Sequence, residues 1–145
     1  MAAAAVAPMA RRSFGNRVAC LLDWAPEQAP AGSTRAALGL ERAWAELAAG
    51  SAGAAVRPVV LIGSAPTALE RLLDLVAAGA AAPSLLIGMP VGFVGVAESK
   101  RRLAQSGLDH LRLQGSKGGA GLVAAACNAL LRAGWLAAEN PPFPS

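Results

Sequence analysis

The sequence predicts an α/β fold, built on a largely parallel sheet of about four strands with helices on both faces. Four short apolar runs alternate with four helical patterns along the chain. The two central runs are continuously apolar, as in parallel strands that are covered on both faces. The segments between the runs are long enough for right-handed crossover helices, which connect parallel strands.

The four strands are predicted from short apolar runs bounded by polar residues, proline or glycine. These runs are residues 17–22 (RVACLL), 58–63 (PVVLIG), 83–88 (PSLLIG) and 110–114 (HLRLQ). The second and third runs suit the centre of the sheet. The first and fourth runs mix polar and apolar residues, and they therefore suit positions nearer its edges.

The first two predicted helices combine a start signal with an apolar stripe at helical spacing. Ser33 or Thr34 can cap the first helix. Its expected buried residues are Ala37, Leu40, Trp44 and Leu47. Pro66 opens the second helix, in a first turn where its missing N–H costs little. The buried stripe there is Leu69, Leu72, Leu73 and Val76, and Gly79 stands where that helix is expected to end.

The last two helices have weaker boundary signals. The third is predicted over residues 96–105 and stops at Gly107. The fourth begins near Gly121, and its expected buried residues are Leu122, Ala126, Ala129 and Leu130.

A single α/β domain is predicted over residues 14–135, between two less regular ends. The length of 145 residues suits one domain, and 54% hydrophobic with 15% charged residues argues against disorder in most of it. Residues 1–13 are alanine-rich and are predicted to be poorly ordered, and residues 136–145 form a proline-rich tail. No uninterrupted apolar run reaches the roughly 18 residues that a bilayer span needs. The N-terminus also lacks the basic start of a secretory signal.

Net charge and cysteine content indicate which classes of ligand and which cellular compartment suit the chain. The net charge is +4, basic residues are scattered, and tyrosine is absent, so nucleic acid is a poor match and a small polyanionic ligand a better one. Cys20 and Cys127 lie far apart without metal-ligand spacing, which favours a reduced, cytoplasmic setting. With one histidine in the chain, we expect no metal site.

Three glycine-rich turns, each following a predicted strand, are the candidate site. They occupy residues 63–67, 88–95 and 115–121, and the carboxyl edge of an open parallel sheet is where ligands bind. Glycine lets a ligand approach the backbone, and helix N-termini offer free N–H groups. The residues predicted to bind substrate are Gly63, Ser64, Ala65, Pro66, Thr67, Met89, Val91, Gly92, Phe93, Gly95, Lys117, Gly118 and Gly119.

Each feature also has a structural interpretation. Glycines at such turns can serve tight geometry alone, Ser64 and Thr67 can cap the following helix, and Lys117 can be solvated rather than bound to a carboxylate. The turns lack GxGxxG and the GK[ST] ending of a phosphate-binding loop, so a nucleotide site is weakly supported. Residues 100–102 (KRR) read as a solvated face. Cys127 reads as a small core residue.

His110 is the only histidine and hence a candidate general acid. It stands at the start of the last predicted strand, at the opposite edge of the sheet from the three turns. A structural role is therefore favoured.

The same turns carry a resemblance to a known family. Residues 60–75 (VLIGSAPTALERLLDL), 85–103 (LLIGMPVGFVGVAESKRRL) and 111–130 (LRLQGSKGGAGLVAAACNAL) resemble, in order and spacing, the precorrin-8X methylmutases of cobalamin biosynthesis. The resemblance includes residues 33–44 (STRAALGLERAW) and covers about residues 14–135.

That resemblance implies an isomerase that moves a methyl group from C-11 to C-12 of a corrinoid, giving hydrogenobyrinate, or cobyrinate when cobalt is present. It implies a homodimer, no separate cofactor, and an acid histidine in an N-terminal region that this chain does not include. Ser64 stands where the family usually has asparagine, and Ala120 where it usually has serine. We therefore expect little turnover from this chain alone, and an apolar face that promotes association.

Two other functions stay open at this point. One is a catalytically inactive corrinoid-binding fragment or partner. The weaker one is an α/β domain that binds a nucleotide or phosphate.

Overall fold

The computed structural model describes residues 2–50 and 57–139, with the side chains of residues 48–50 left aside. Five helices and three strands follow one another in these ranges, together with one short 3₁₀ turn, Leu21–Trp24. The helices are α1 (Ala2–Phe14), α2 (Arg35–Gly50), α3 (Pro66–Ala77), α4 (Val96–Gln105) and α5 (Ala120–Glu139). The strands are β1 (Val59–Ile62), β2 (Leu85–Gly88) and β3 (His110–Arg112).

The strands form one parallel sheet in the order β1-β2-β3, which confirms the predicted α/β class. Val59 pairs with Leu85, and Leu86 pairs with His110. All three strands lie within predicted runs. Both crossovers contain a helix, as parallel neighbours require.

The prediction of about four strands was wrong for the run at residues 17–22, since the described residues contain three strands. The last two residues of that run begin the 3₁₀ turn Leu21–Trp24, which rests on α2. A Cβ atom on Gly39 would lie 2.4 Å from the carbonyl oxygen of Leu21, so the turn approaches the helix backbone directly. Leu21 joins the hydrophobic cluster of that helix instead of pairing with the sheet.

Two hydrophobic clusters cover the two faces of the sheet, as predicted. In β2, Leu86 belongs to the cluster with α2, α3 and α4, whereas its neighbour Ile87 belongs to the cluster with α1 and α5. Successive strand residues point to opposite faces, so this short strand must be apolar throughout. Both crossover helices therefore lie on one face, and α5 returns across the other.

Residues 1–13 were predicted to be poorly ordered, but residues 2–14 form helix α1. Alanine has the highest helix propensity, and Val6 and Ala10 are buried against α5. The amide of Asn128 on α5 also donates to the carbonyl of Ala5. Packing against α5 thus orders the N-terminal segment, although its composition alone did not predict a packing partner. At the other end, α5 continues to Glu139, and the rest of the predicted tail lies outside the described residues.

Two predicted helix boundaries are confirmed by their hydrogen bonds. The Thr34 hydroxyl accepts from the N–H of Ala37, so Thr34 caps α2. Gly79 has φ +101°, and its N–H donates to the carbonyl of Val76 at the end of α3. That conformation favours glycine, which accounts for the helix ending there.

The predicted buried face of α5 was wrong by one position. Leu122 and Leu130 are exposed, whereas Val123, Ala124 and Cys127 are buried. Both stripes have helical spacing in this alanine-rich helix, so periodicity alone did not separate them. By length and composition, α5 is also the one described helix that could cross a membrane, a property that core helices of soluble proteins share.

Candidate functional site

The loops after β2 and β3 are joined by main-chain hydrogen bonds at the carboxyl edge of the sheet. The N–H of Gly119 donates to the carbonyl of Met89 at 2.9 Å, and the N–H of Gly92 donates to the carbonyl of Ser116 at 3.2 Å. Gly92 has φ +121°, a conformation that residues with a Cβ rarely adopt. The two loops therefore form one connected surface.

A hollow of about 470 Å³ lies between these loops and the first turn of α5. Its volume is in the range of small-molecule sites, roughly 300–1,000 Å³. The lining residues are Val91, Gly92, Phe93, Ser116, Lys117, Gly118 and Leu122. Five of the predicted binding residues are among them: Val91, Gly92, Phe93, Lys117 and Gly118.

The side chains around this hollow are apolar and exposed. Phe93 is 92% exposed and Val94 is 90% exposed, although both are large hydrophobic residues. Pro90, directly before them, is fully buried and anchors the loop. An exposed apolar loop on a buried base is typical of a binding surface. Lys117 supplies the one cationic side chain at the hollow.

The remaining predicted residues support these loops or lie beside them. Met89 and Gly119 form the hydrogen bond beneath the hollow, and Gly95 is the residue before α4, with φ +71°. Gly63 is buried against α5, where a Cβ would lie 2.7 Å from Ala120. This contact fixes the end of β1 to the start of α5.

The loop at residues 63–67 leads into α3 and is not part of the lining of the hollow. Ala65 is the N-cap residue of α3, with Pro66 as its first residue, and no side chain makes a capping hydrogen bond. Ser64 is exposed, and the Thr67 hydroxyl lies 2.7 Å from that of Thr34. The structure therefore brings together two of the three predicted loops in one hollow.

Lys100 was predicted to lie on a solvated face, and this was wrong. Its side chain is 1% exposed, and its ammonium group donates to the carbonyls of Gly115 and Lys117. Burial, with a smaller effect of the Arg112 charge, lowers the pKa of Lys100. Lys100 thus ties α4 to the loop that carries Lys117. Its position four residues after Val96 and three before Leu103, on the apolar face of α4, was the signal available in the sequence.

His110 and Cys127 both lie away from the hollow. His110 begins β3 at the amino edge of the sheet, and its Nδ1 lies 2.7 Å from the carbonyl oxygen of Leu108. Burial raises the pKa of the Cys127 thiol, which packs between α5 and the sheet. Within residues 2–50 and 57–139, no group of three or more histidine, cysteine, aspartate or glutamate side chains has a metal-binding arrangement.

Comparisons with known proteins agree on one family. The family model described as precorrin-8X methylmutase matches residues 1–133. The match extends further toward the N-terminus than the predicted resemblance, and it includes the sequence of α1.

Two curated relatives illustrate the similarity. The precorrin-8X methylmutase of Pseudomonas aeruginosa is 46% identical over 125 residues, which cover 83% of this chain and 56% of that protein. The cobalt-precorrin-8 methylmutase of Synechocystis is 38% identical over 127 residues, which cover 88% of this chain and 54% of that protein. The chain thus spans about half the length of these relatives.

A solved structure has the same fold. The crystal structure of precorrin-8X methylmutase from Thermus thermophilus matches 100% of this chain and 66% of its own, with a TM-score of 0.75 and 36% identity. Sequence and fold therefore lead to the same conclusion: the chain belongs to the precorrin-8X methylmutase family.

Proposed function

We propose that this chain forms the corrinoid-holding part of a precorrin-8X methylmutase, which moves a methyl group from C-11 to C-12 of its substrate. One observation carries the proposal: two backbone-linked loops line an open, apolar hollow with a single lysine at its margin. Apolar walls shield a flat macrocycle from water, and Lys117 is suited to one of its carboxylates. The reaction needs no added group, because the methyl leaves and arrives on the same molecule.

The small size of the hollow suggests that a second protein surface completes the substrate site. A volume of about 470 Å³ suits part of a tetrapyrrole rather than the whole ring. Phe93 and Val94 extend apolar surface beyond it. We propose that a second copy of the chain covers this surface, as a homodimer. Light scattering tests this, and a monomer at all concentrations would contradict it.

We propose that the group that donates the proton for the methyl shift is not one of the residues that line this hollow. Its lining has no carboxylate and no imidazole, and His110 lies at the other edge of the sheet. We therefore expect weak or no turnover from this polypeptide alone. The same observation favours a second candidate function, a corrinoid-binding chain without catalytic activity.

Incubation with precorrin-8X distinguishes these two functions. A change of the substrate spectrum to that of hydrogenobyrinate means catalysis, and binding without conversion means the second function. Preference for ATP over either corrinoid would refute both. Replacement of Phe93 by serine provides a control, because loss of binding in that variant places the corrinoid at this hollow.

A cytoplasmic location, with no nucleic-acid or membrane partner, completes the proposal. Cys20 and Cys127 are free thiols in the described part of the chain, which suits a reducing compartment. The first half of α5 packs on the sheet through Val123, Ala124 and Cys127. Fractionation of cells that express the chain tests the location, and recovery in the membrane fraction would contradict it.

A further inference from the structure

A second hollow lies between α4 and the end of β3. Its volume is about 450 Å³, and its lining residues are Ala97, Lys100, Arg101, Arg112, Gln114 and Gly115. Three of the six are cationic and none is acidic. The hollow lies at the carboxyl end of β3, so only the loop after that strand separates it from the hollow proposed for the corrinoid.

Lys100 brings a buried positive charge to this second hollow. Two of the three N–H bonds of its ammonium group have partners, the carbonyls of Gly115 and Lys117. Both acceptors are neutral, and no carboxylate forms an ion pair with Lys100 in residues 2–50 and 57–139. A buried cation without a counter-charge is unfavourable, so a nearby anionic group stabilises the charged form of Lys100.

Arg112 adds a second charge without a partner. It is the last residue of β3 and pairs in register with Gly88, on the side of the sheet that α4 covers. Its guanidinium makes no hydrogen bond or ion pair with the described residues, and its charge acts on Lys100. Arg101, one residue after Lys100, is already paired with Glu98. Of the three cations at the hollow, Arg112 is therefore free to meet a ligand, and Lys100 has one N–H bond left.

We infer that this hollow binds a carboxylate group of a small molecule. The planar guanidinium of Arg112 matches the two oxygens of a carboxylate, and Lys100 supplies a compact charge beside it. Two sources have this chemistry. One is a free polycarboxylic acid, and the other is a peripheral carboxylate of the corrinoid, a source that rests on the proposed function.

The first test uses citrate as a free polycarboxylate, titrated into the full chain at low salt and followed by calorimetry. We expect Arg112→Gln to weaken citrate binding about tenfold, since it removes a charge-assisted hydrogen-bond donor. Arg132→Gln is the matched control: Arg132 is exposed on α5, at the other face of the sheet, and its loss should leave citrate binding unchanged. Lys100→Met, checked for folding by circular dichroism, should weaken binding as well.

Three results would overturn the inference. They are no citrate binding at millimolar concentration, equal citrate binding by the wild type and Arg112→Gln, and binding of inorganic phosphate as tight as that of citrate. The last result would show a site for anions in general rather than for carboxylates.

The second test identifies the source by titrating hydrogenobyrinate into the same variants. Weaker binding in both Arg112→Gln and Phe93→Ser supports a corrinoid carboxylate as the source. Corrinoid binding that depends on Phe93 but not on Arg112, with citrate binding that depends on Arg112, supports a free acid. If citrate binds through Arg112 and no corrinoid binds at all, the carboxylate site stands and the proposed function fails.

Discussion

Substitution of Gly118 by alanine tests whether the two loops must touch. A Cβ atom on Gly118 would lie 2.0 Å from the carbonyl oxygen of Met89 and 2.8 Å from that of Pro90. Both neighbours are backbone atoms, so no side-chain rotation can relieve the clash. The loop after β3 must therefore move away from the loop after β2, and the hydrogen bond between Gly119 and Met89 is lost with it.

The expected loss of stability follows from these two effects. Overpacking of this kind costs about 1–3 kcal/mol, and the lost hydrogen bond adds about 1 kcal/mol. We therefore expect Gly118→Ala to lower the free energy of unfolding by about 2–4 kcal/mol. For a chain of this size, that lowers Tm by roughly 5–15 °C. The hollow also changes shape, so corrinoid binding should weaken.

Gly121→Ala is the matched control, measured by urea unfolding and thermal melting beside the first variant. Gly121 lies in the first turn of α5, and nothing lies within 4 Å of an added Cβ. Because alanine favours helix, this variant should be as stable as the wild type, or up to about 1 kcal/mol more stable. Equal stability of the two variants would refute the steric explanation.

Three further variants test separate parts of the structure. Phe93→Ser should change the free energy of unfolding by no more than about 0.5 kcal/mol, because the ring is exposed. Fluorescence titration should show about tenfold weaker hydrogenobyrinate binding, since the variant loses apolar surface beside the hollow. A clear loss of stability would mean that the ring is part of the core. The folded protein holds the Lys100 proton less tightly than the unfolded chain, because burial lowers the pKa of Lys100. The free energy of unfolding of the wild type should therefore rise with pH between the lowered folded pKa and the ordinary value of 10.5. Lys100→Met should remove this rise. Urea unfolding across this range checks it, and parallel curves for both proteins would contradict it. Arg102→Gln should lower the free energy of unfolding by about 1 kcal/mol, since Arg102 on α4 pairs with Glu70 and Asp74 on α3. Salt screens such exposed pairs, so a loss of stability that stays the same in high salt would argue against ion pairing.

Much of the candidate site was predictable because its signals are local. The glycines and the proline after β2 mark a turn wherever they occur, and strand-to-helix turns of a parallel sheet share one edge. Five of the thirteen predicted binding residues line the hollow for this reason. That the loop at residues 63–67 stands apart from the hollow was not predictable, since this depends on how Gly63 packs against α5.

The burial of Lys100 was missed for a related reason. Composition places a run of lysine and arginine in solvent, and its helical spacing with Val96 and Leu103 was the only contrary signal. What makes burial favourable is a pair of carbonyls, those of Gly115 and Lys117, from a loop fifteen to seventeen residues further along the chain.

The sequence by itself determined the α/β class, the three strands and the edge at which the glycine-rich turns gather, because strand runs and turn residues act over a few neighbouring positions. Only the tertiary structure decided that residues 17–22 leave the sheet, that the alanine-rich N-terminus folds on α5, and which face of α5 is buried. Each of these depends on a partner surface distant in the chain, and an apolar segment or an evenly alanine-rich helix is compatible with more than one such surface.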